Sequence, residues 1–198
     1  AVAACNAGVV NPTETVLCEG RYHKVKVGFA CKNHGVGLSM DLPGAIMRSC
    51  NVYFYEMGDR LGGGLLAEYA RRMGLGAPTG VDLSGEKGGN LPDPVWKRQS
   101  SGESWQPGDS WNMAIGQGAL LVTPLQMARA YAMLANGGRL VTPHLVDGMD
   151  LPSGEPVIRV PAEVLEGMRW VVEEPGGTAY SVSALRRLEV AGKTGTAQ

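Results

Sequence analysis

Apolar positions in this chain fall into helical stripes, separated by stretches rich in glycine, proline and polar residues. Residues 1–7 read as a helix end closed by Gly8. A long, turn-rich connection runs from Val9 to Ser39, with Val25-Lys26-Val27 as a short strand. Pro43 then starts a helical run in which Ala45, Ile46, Cys50, Phe54 and Met57 keep helical spacing, with a break near Ser49. Residues 63–73 set Leu65, Leu66, Tyr69, Ala70 and Met73 on one face, and Gly74 ends them. Residues 76–111 read as loop. At Thr123-Pro124 a threonine cap precedes proline at the first helical position, which predicts a helix through Leu125, Ala128, Met133 and Leu134 to Asn136. Pro161 opens another through Leu165, Met168, Val171 and Val172, stopped by Pro175-Gly176-Gly177. Leu188-Glu189-Val190-Ala191 reads as the start of a strand. The pattern is mainly helical, with no internal repeat.

Composition narrows this a little. The 198 residues suit one domain rather than two, and 44% hydrophobic residues suffice for a core. With 29 Gly and 12 Pro, long ordered loops should separate the helices. A net charge of -1 and the lack of a basic stripe give no reason to expect nucleic acid as a partner. No apolar run is long enough to span a membrane. There is no secretory signal and no initiator Met, and both ends read as cut.

The four cysteines lie at 5, 18, 31 and 50. Cys5 and Cys50 sit in apolar helical patterns and read as buried thiols. Cys18 and Cys31 bracket a polar loop. They could close it as a disulfide, supply a two-Cys two-His zinc site with His23 and His34, or remain unpaired. Cys-x12-Cys is not a usual ligand spacing. His34 has no carboxylate partner in its surroundings and reads as a structural hydrogen bonder. Trp96, Trp105 and Trp111 flank a polar loop and read as rim packing.

Two short motifs carry chemistry. Ser49-Cys50-Asn51 sits at the helix break, so a hydroxyl and an amide can project together. Lys193-Thr194-Gly195-Thr196 sits on the final predicted strand, where Gly195 allows close approach to the backbone and the lysine and hydroxyls suit a carboxylate. Each motif alone recurs by chance; their order, with helices between, gives them weight. Gly192-Lys193-Thr194 is not a phosphate loop, because Arg187 stands where that loop needs glycine.

Together these motifs resemble the second and third motifs of the penicillin-recognising serine acyltransferases. The flanks SCNVYFYEM (49–57), GVDLSG (80–85), WNMAIGQGALLVTP (111–124) and VAGKTGTAQ (190–198) are similar to the class B penicillin-binding proteins of the elongation type, and the resemblance spans residues 1–198. It implies an α+β fold, of which this chain would be the helix-rich portion, a partial transpeptidase domain truncated at both ends with most of the central antiparallel sheet absent. It also implies peptidoglycan D,D-transpeptidation by serine acyl transfer. Ser49 would relay a proton, Asn51 would hold substrate amide and the catalytic lysine, and Lys193 would add positive potential. Thr194 and Thr196 would bind the terminal carboxylate, Gly195 would admit the substrate, and the Thr196 N–H would form half of an oxyanion hole. Gln117, in Gly116-Gln117-Gly118, resembles a segment flooring the family's cleft, though from residues alone it is equally a plain turn.

One departure matters. The family's Ser-x-x-Lys nucleophile motif would stand ahead of Ala1. The one such sequence inside the chain, Ser84-Gly85-Glu86-Lys87, lies in a glycine-rich loop where the helical turn that unites serine and lysine cannot form. The chain alone is therefore expected to be inactive. The resemblance implies no cofactor and no metal. As partners it implies D-Ala-D-Ala stem peptides, β-lactams and a glycosyltransferase of the elongation machinery, with an extracytoplasmic location and a membrane anchor outside this sequence. The rival readings are a β-lactam sensor domain, a class D β-lactamase-like protein, or a non-catalytic binding fragment.

Overall fold

The computed structural model describes residues 1–24, 26, 28–147 and 155–195. The chain divides into two units, Ala1–Arg60 with Pro161–Gln198, and Leu61–Val160.

In the first unit a short helix α1 (Val2–Asn6) is followed by β1 (Val16–Cys18) and β2 (Leu38–Met40). The strands pair antiparallel with Val16 opposite Met40 and Cys18 opposite Leu38. The sequence pattern missed this ladder, because three-residue strands are too short to show alternation. Val25 and Val27 of the expected strand lie outside the described residues. Around them, Arg21 bridges Ala30, and the Cys31 N–H donates to the Gly20 carbonyl at 2.9 Å. The connection therefore folds back on itself and returns Cys31 beside Cys18.

Helix α2 (Leu42–Met47) starts at an Asp41 cap, whose side chain accepts from the Gly44 N–H at 3.0 Å. It packs on α7 (Ala162–Glu173). The approach is close: a Cβ on Gly167 would lie 2.9 Å from Pro43 Cα and Ile46 Cβ. Leu42, Ala45 and Ile46 are buried from one side, and Val164, Met168, Val171 and Val172 from the other. A short α8 (Ser183–Arg186) follows. The expected strand at 188–191 is not formed. Leu188 is 70% exposed, and the chain turns there after α8, with Glu189 at a φ of 50°, so no strand begins.

Helix α3 (Asn51–Arg72) joins two helical stretches across Gly62, whose φ of 68° and ψ of 166° no helix allows. This is why the apolar pattern reads as two runs. In the second unit, α4 (Pro94–Ser101) and α5 (Pro107–Ala114) occupy part of the span read as loop. Helix α4 buries no residue, so apolar periodicity is silent there, yet its Asp93 cap accepts from the Trp96 N–H at 2.7 Å. The core of this unit gathers Ala67, Leu91 and Met113, with Leu66, Ala70, Trp105 and Leu120 against them.

Helix α6 (Pro124–Ala135) begins as predicted, with Thr123 as its cap. Its Gln126 is fully buried and serves three backbone groups. Oε1 accepts from the Thr123 N–H at 2.9 Å, while Nε2 donates to the Ala77 and Gly88 carbonyls at 2.7 and 2.9 Å. Gln126→Leu keeps the volume but strands all three, so we expect about 3 kcal/mol of destabilisation, read from denaturant unfolding. A loss under 1 kcal/mol would show that this bonding carries little stability.

Candidate active site

Two segments of the first unit, distant in sequence, meet where α2 gives way to α3. Ser49 turns the chain there with a φ of 54°, a left-handed conformation that costs a non-glycine residue about 1–2 kcal/mol. The turn is held from outside by the 30–33 segment. Asn33 Nδ2 donates to the Ser49 carbonyl at 2.7 Å, and Asn51 Nδ2 donates to the Ala30 carbonyl at 3.2 Å. The Asn51 N–H, at the helix start, donates to Cys31 Sγ at 3.3 Å.

Lys193 faces this turn. Its Nζ donates to Ser49 Oγ at 2.8 Å and to the Thr194 carbonyl at 3.0 Å. The segment is anchored to α7 by the Gly192 N–H, which donates to the Met168 carbonyl at 3.0 Å. The Thr194 hydroxyl shares a 2.8 Å hydrogen bond with the Thr178 hydroxyl, and the Thr178 N–H donates to the Met47 carbonyl at 3.2 Å. Thr178 thus links the end of α2 to the lysine segment. No local pattern signals this role, since a threonine after two glycines reads as plain loop. A Cβ on Gly195 would meet nothing within 4 Å, so the backbone there is open to approach.

Burial holds the Lys193 ammonium below the ordinary lysine pKa. While charged, Lys193 donates to Ser49 Oγ, which leaves the serine hydrogen to be given elsewhere. Such a serine can pass a proton. Any activity that needs the charged lysine falls as pH rises through this lowered pKa, so we expect the alkaline limb of a pH–rate profile below 10.5, the ordinary lysine value. A limb at or above that value would contradict the burial argument.

The other expected residues divide as follows. Thr196 lies outside the described residues. Gln117 belongs to the second unit, in the turn after α5, where its N–H donates to the Asn112 carbonyl at 2.9 Å. It lines a cavity of about 280 Å³ with Trp96, Lys97, Trp105 and Asn112. Ser84 lies in a turn with Gly85 at φ 79°, and no helical turn places Lys87 beside it.

Beneath the serine turn is a group that the sequence only half disclosed. The sulfurs of Cys18, Cys31 and Cys50 and a ring nitrogen of His34 all lie within 4.8 Å of one another. Cys18–Cys31 is not a disulfide; all three are thiols. His23, placed in the quartet by the sequence, instead turns its ring edge to Tyr22 at 4.9 Å. Cys50, read as packing, completes the group. Its clue was adjacency to Ser49 and Asn51; the clue to His34 was the Cys-x-x-His spacing from Cys31.

These donors fit a tetrahedral zinc ion, in which sulfurs bound at about 2.3 Å sit about 3.8 Å apart. The surroundings fit as well. His34 Nδ1 lies 2.7 Å from the Gly35 carbonyl, to which it can only donate, leaving Nε2, 3.3 Å from Cys31 Sγ, as the ligating nitrogen. Backbone N–H groups of Asn51 and Tyr53 point at Cys31 and Cys50 sulfur and would temper thiolate charge. A hydrogen bond from Cys50 pulls the Cys31 thiol down in pKa, and the same bond, with burial, pushes Cys50 up.

A family model described as penicillin binding protein transpeptidase domain matches residues 1–198. The chain belongs to this transpeptidase family. The resemblance read from the motif flanks is thereby borne out. The chain is 34% identical to the peptidoglycan D,D-transpeptidase MrdA of Haemophilus influenzae, covering 100% of this chain and 33% of the relative. It is also 34% identical to the penicillin-binding protein PbpB of Mycolicibacterium smegmatis, covering 100% and 32%. Among solved structures, Helicobacter pylori PBP2 in complex with MreC superposes with a TM-score of 0.85 at 32% identity, over 100% of this chain and 39% of that one. Pseudomonas aeruginosa PBP2 in complex with WCK 5153 gives 0.82 at 34%, over 92% and 43%. The transpeptidase fold is shared, and this chain is its helix-rich part. It spans about a third of the length of the curated relatives it matches.

Proposed function

We propose that this chain forms part of a peptidoglycan D,D-transpeptidase and supplies the second and third motifs of its acylation site. The observation that carries the reading is the 2.8 Å bond from Lys193 Nζ to Ser49 Oγ, which joins two motifs 144 positions apart. The relatives named D,D-transpeptidase favour it over a sensor domain or a β-lactamase.

The nucleophile is a serine ahead of Ala1. Its Oγ bonds to the carbonyl carbon of the penultimate D-alanine, the C–N bond to the terminal D-alanine breaks, and an amine of a second stem peptide later displaces the ester. The departing amine needs a proton, and Ser49 delivers it. Asn51 steadies the substrate amide. Lys193, with the Thr194 and Thr196 hydroxyls, receives the terminal carboxylate, the Thr196 N–H polarises the attacked carbonyl, and Gly195 gives room. β-Lactams acylate the same serine. The protein works outside the cytoplasmic membrane, anchored by a segment other than these residues, beside a glycosyltransferase. In support, one structural relative is described as a peptidoglycan synthase complex coordinating polymerization and crosslinking. Fluorescent penicillin applied to the complete protein tests this: one covalent label is expected, and no label would overturn the reading.

A second reading comes from the thiol group. Cys18, Cys31, His34 and Cys50 hold a structural zinc ion, tying the β1–β2 connection to the Ser49 turn. No step of acyl transfer passes through it. Metal analysis is expected to find one zinc per protein, and chelation to lower the unfolding temperature. Protein free of metal after growth in zinc, with unfolding unmoved by chelator, would remove the ion from the account.

A further inference from the structure

Cys50 stands between Ser49 and Asn51, and its sulfur belongs to the same group as Cys31, which lies in the segment that braces the serine turn. Three contacts make that brace: Asn33 on the Ser49 carbonyl, Asn51 on the Ala30 carbonyl, and the Asn51 N–H on Cys31 Sγ. Ser49 is held in a left-handed conformation that a non-glycine residue leaves readily once its support is altered. The three sulfurs lie within 4.8 Å of one another; Cys50 is in the motif itself and Cys31 in the segment that braces it, whereas Cys18 sits on β1.

We propose that Cys31 and Cys50 form a reversible oxidation site, and that their disulfide pulls the Ser49-Cys50-Asn51 motif out of its braced geometry and slows acylation. The oxidant is a peroxide. Cys31, at the edge of the group beside half-buried His34, is attacked first. Its sulfur takes one peroxide oxygen as a sulfenic acid and the other leaves as water. Cys50 sulfur then attacks, the S–S bond forms, and the hydroxyl departs as a second water. Two thiols and one peroxide thus give one disulfide and two waters. If zinc were held there, the sulfurs would start as thiolates, two protons would come from solvent, and Cys31 and Cys50 would no longer serve as donors. The new bond draws the sulfurs to about 2.0 Å. That moves Cys31 against the Asn51 N–H it accepts from and shifts the chain on either side of Cys50.

The effect on acylation rests on the transpeptidase reading; the disulfide itself does not. The complete protein, reduced and purified, is treated with hydrogen peroxide and followed three ways: peptide mapping by mass spectrometry, hydrogen exchange of residues 49–51, and rate of labelling by fluorescent penicillin. The expected result is a Cys31–Cys50 cross-linked peptide, faster exchange at Asn51, and labelling slowed about tenfold, all reversed by dithiothreitol. A cross-link to Cys18 instead, no cross-link, or a Cys31–Cys50 cross-link with unchanged exchange would each overturn the proposal. Protein that takes no penicillin even when reduced sinks the transpeptidase reading alone, and mapping and exchange then still decide this one. Cys18→Ala serves as the second variant: it keeps the pair, so the cross-link and the slowing should persist in it.

Discussion

Ser49→Ala is expected to lower the rate of penicillin acylation of the complete protein about 10²–10⁴-fold, the range for removal of a positioned proton-transfer group. The reasoning starts from one hydroxyl. Ser49 Oγ receives a hydrogen from Lys193 Nζ at 2.8 Å, so its own hydrogen is free to move toward a leaving amine. Alanine keeps the Cβ, the turn and the Asn33 contact, which engages the backbone carbonyl rather than the side chain. Stability should therefore change little while the rate collapses. Stopped-flow acylation beside thermal unfolding separates the two. A rate within threefold of the parent, with folding intact, would remove Ser49 from the proton path.

Gly177→Ala is expected to do the reverse, disrupting the site by unfolding its scaffold. A Cβ there would lie 2.3 Å from the Trp170 carbonyl oxygen and 2.5 Å from that of Val171. Both oxygens belong to the last turn of α7 and neither can rotate away. Gly177 also leads into Thr178, whose N–H and hydroxyl join Met47 to Thr194. We expect about 3 kcal/mol of destabilisation from overpacking against fixed backbone. Penicillin labelling should fall in step with the folded fraction, not beyond it. An unfolding midpoint equal to that of the parent would mean that the turn after α7 is far more yielding than its geometry allows.

Much of the helical frame was legible in the sequence where a cap and an apolar stripe agreed. Thr123-Pro124 announced α6, and the run from Pro161 announced α7, because both helices bury one face. Helix α4 carried an equally good Asp93-Pro94 start and was missed, since nothing on it is buried and periodicity had nothing to report. The tail at 188–191 shows the opposite error. Alternating Leu188 and Val190 suggest a strand, but the chain turns there after α8, with Glu189 at a positive φ, so the alternation lies on no extended backbone. The chemistry divides in the same way. Ser49, Asn51 and Lys193 were legible as motif letters, and their meeting across 144 positions is tertiary. Thr178 depends on how the turn after α7 meets the end of α2, and Asn33 and the joining of Cys50 to Cys18, Cys31 and His34 depend on how the 19–37 connection folds back. No local pattern encodes that.

In the proposed reading this chain completes an acylation site whose nucleophile precedes Ala1. Intact mass of the complete protein, before and after penicillin, followed by mapping of the modified peptide, tests it most directly. The account predicts one penicillin adduct on a serine ahead of Ala1, in a Ser-x-x-Lys sequence. An adduct on Ser84, or no adduct on folded protein, would contradict it.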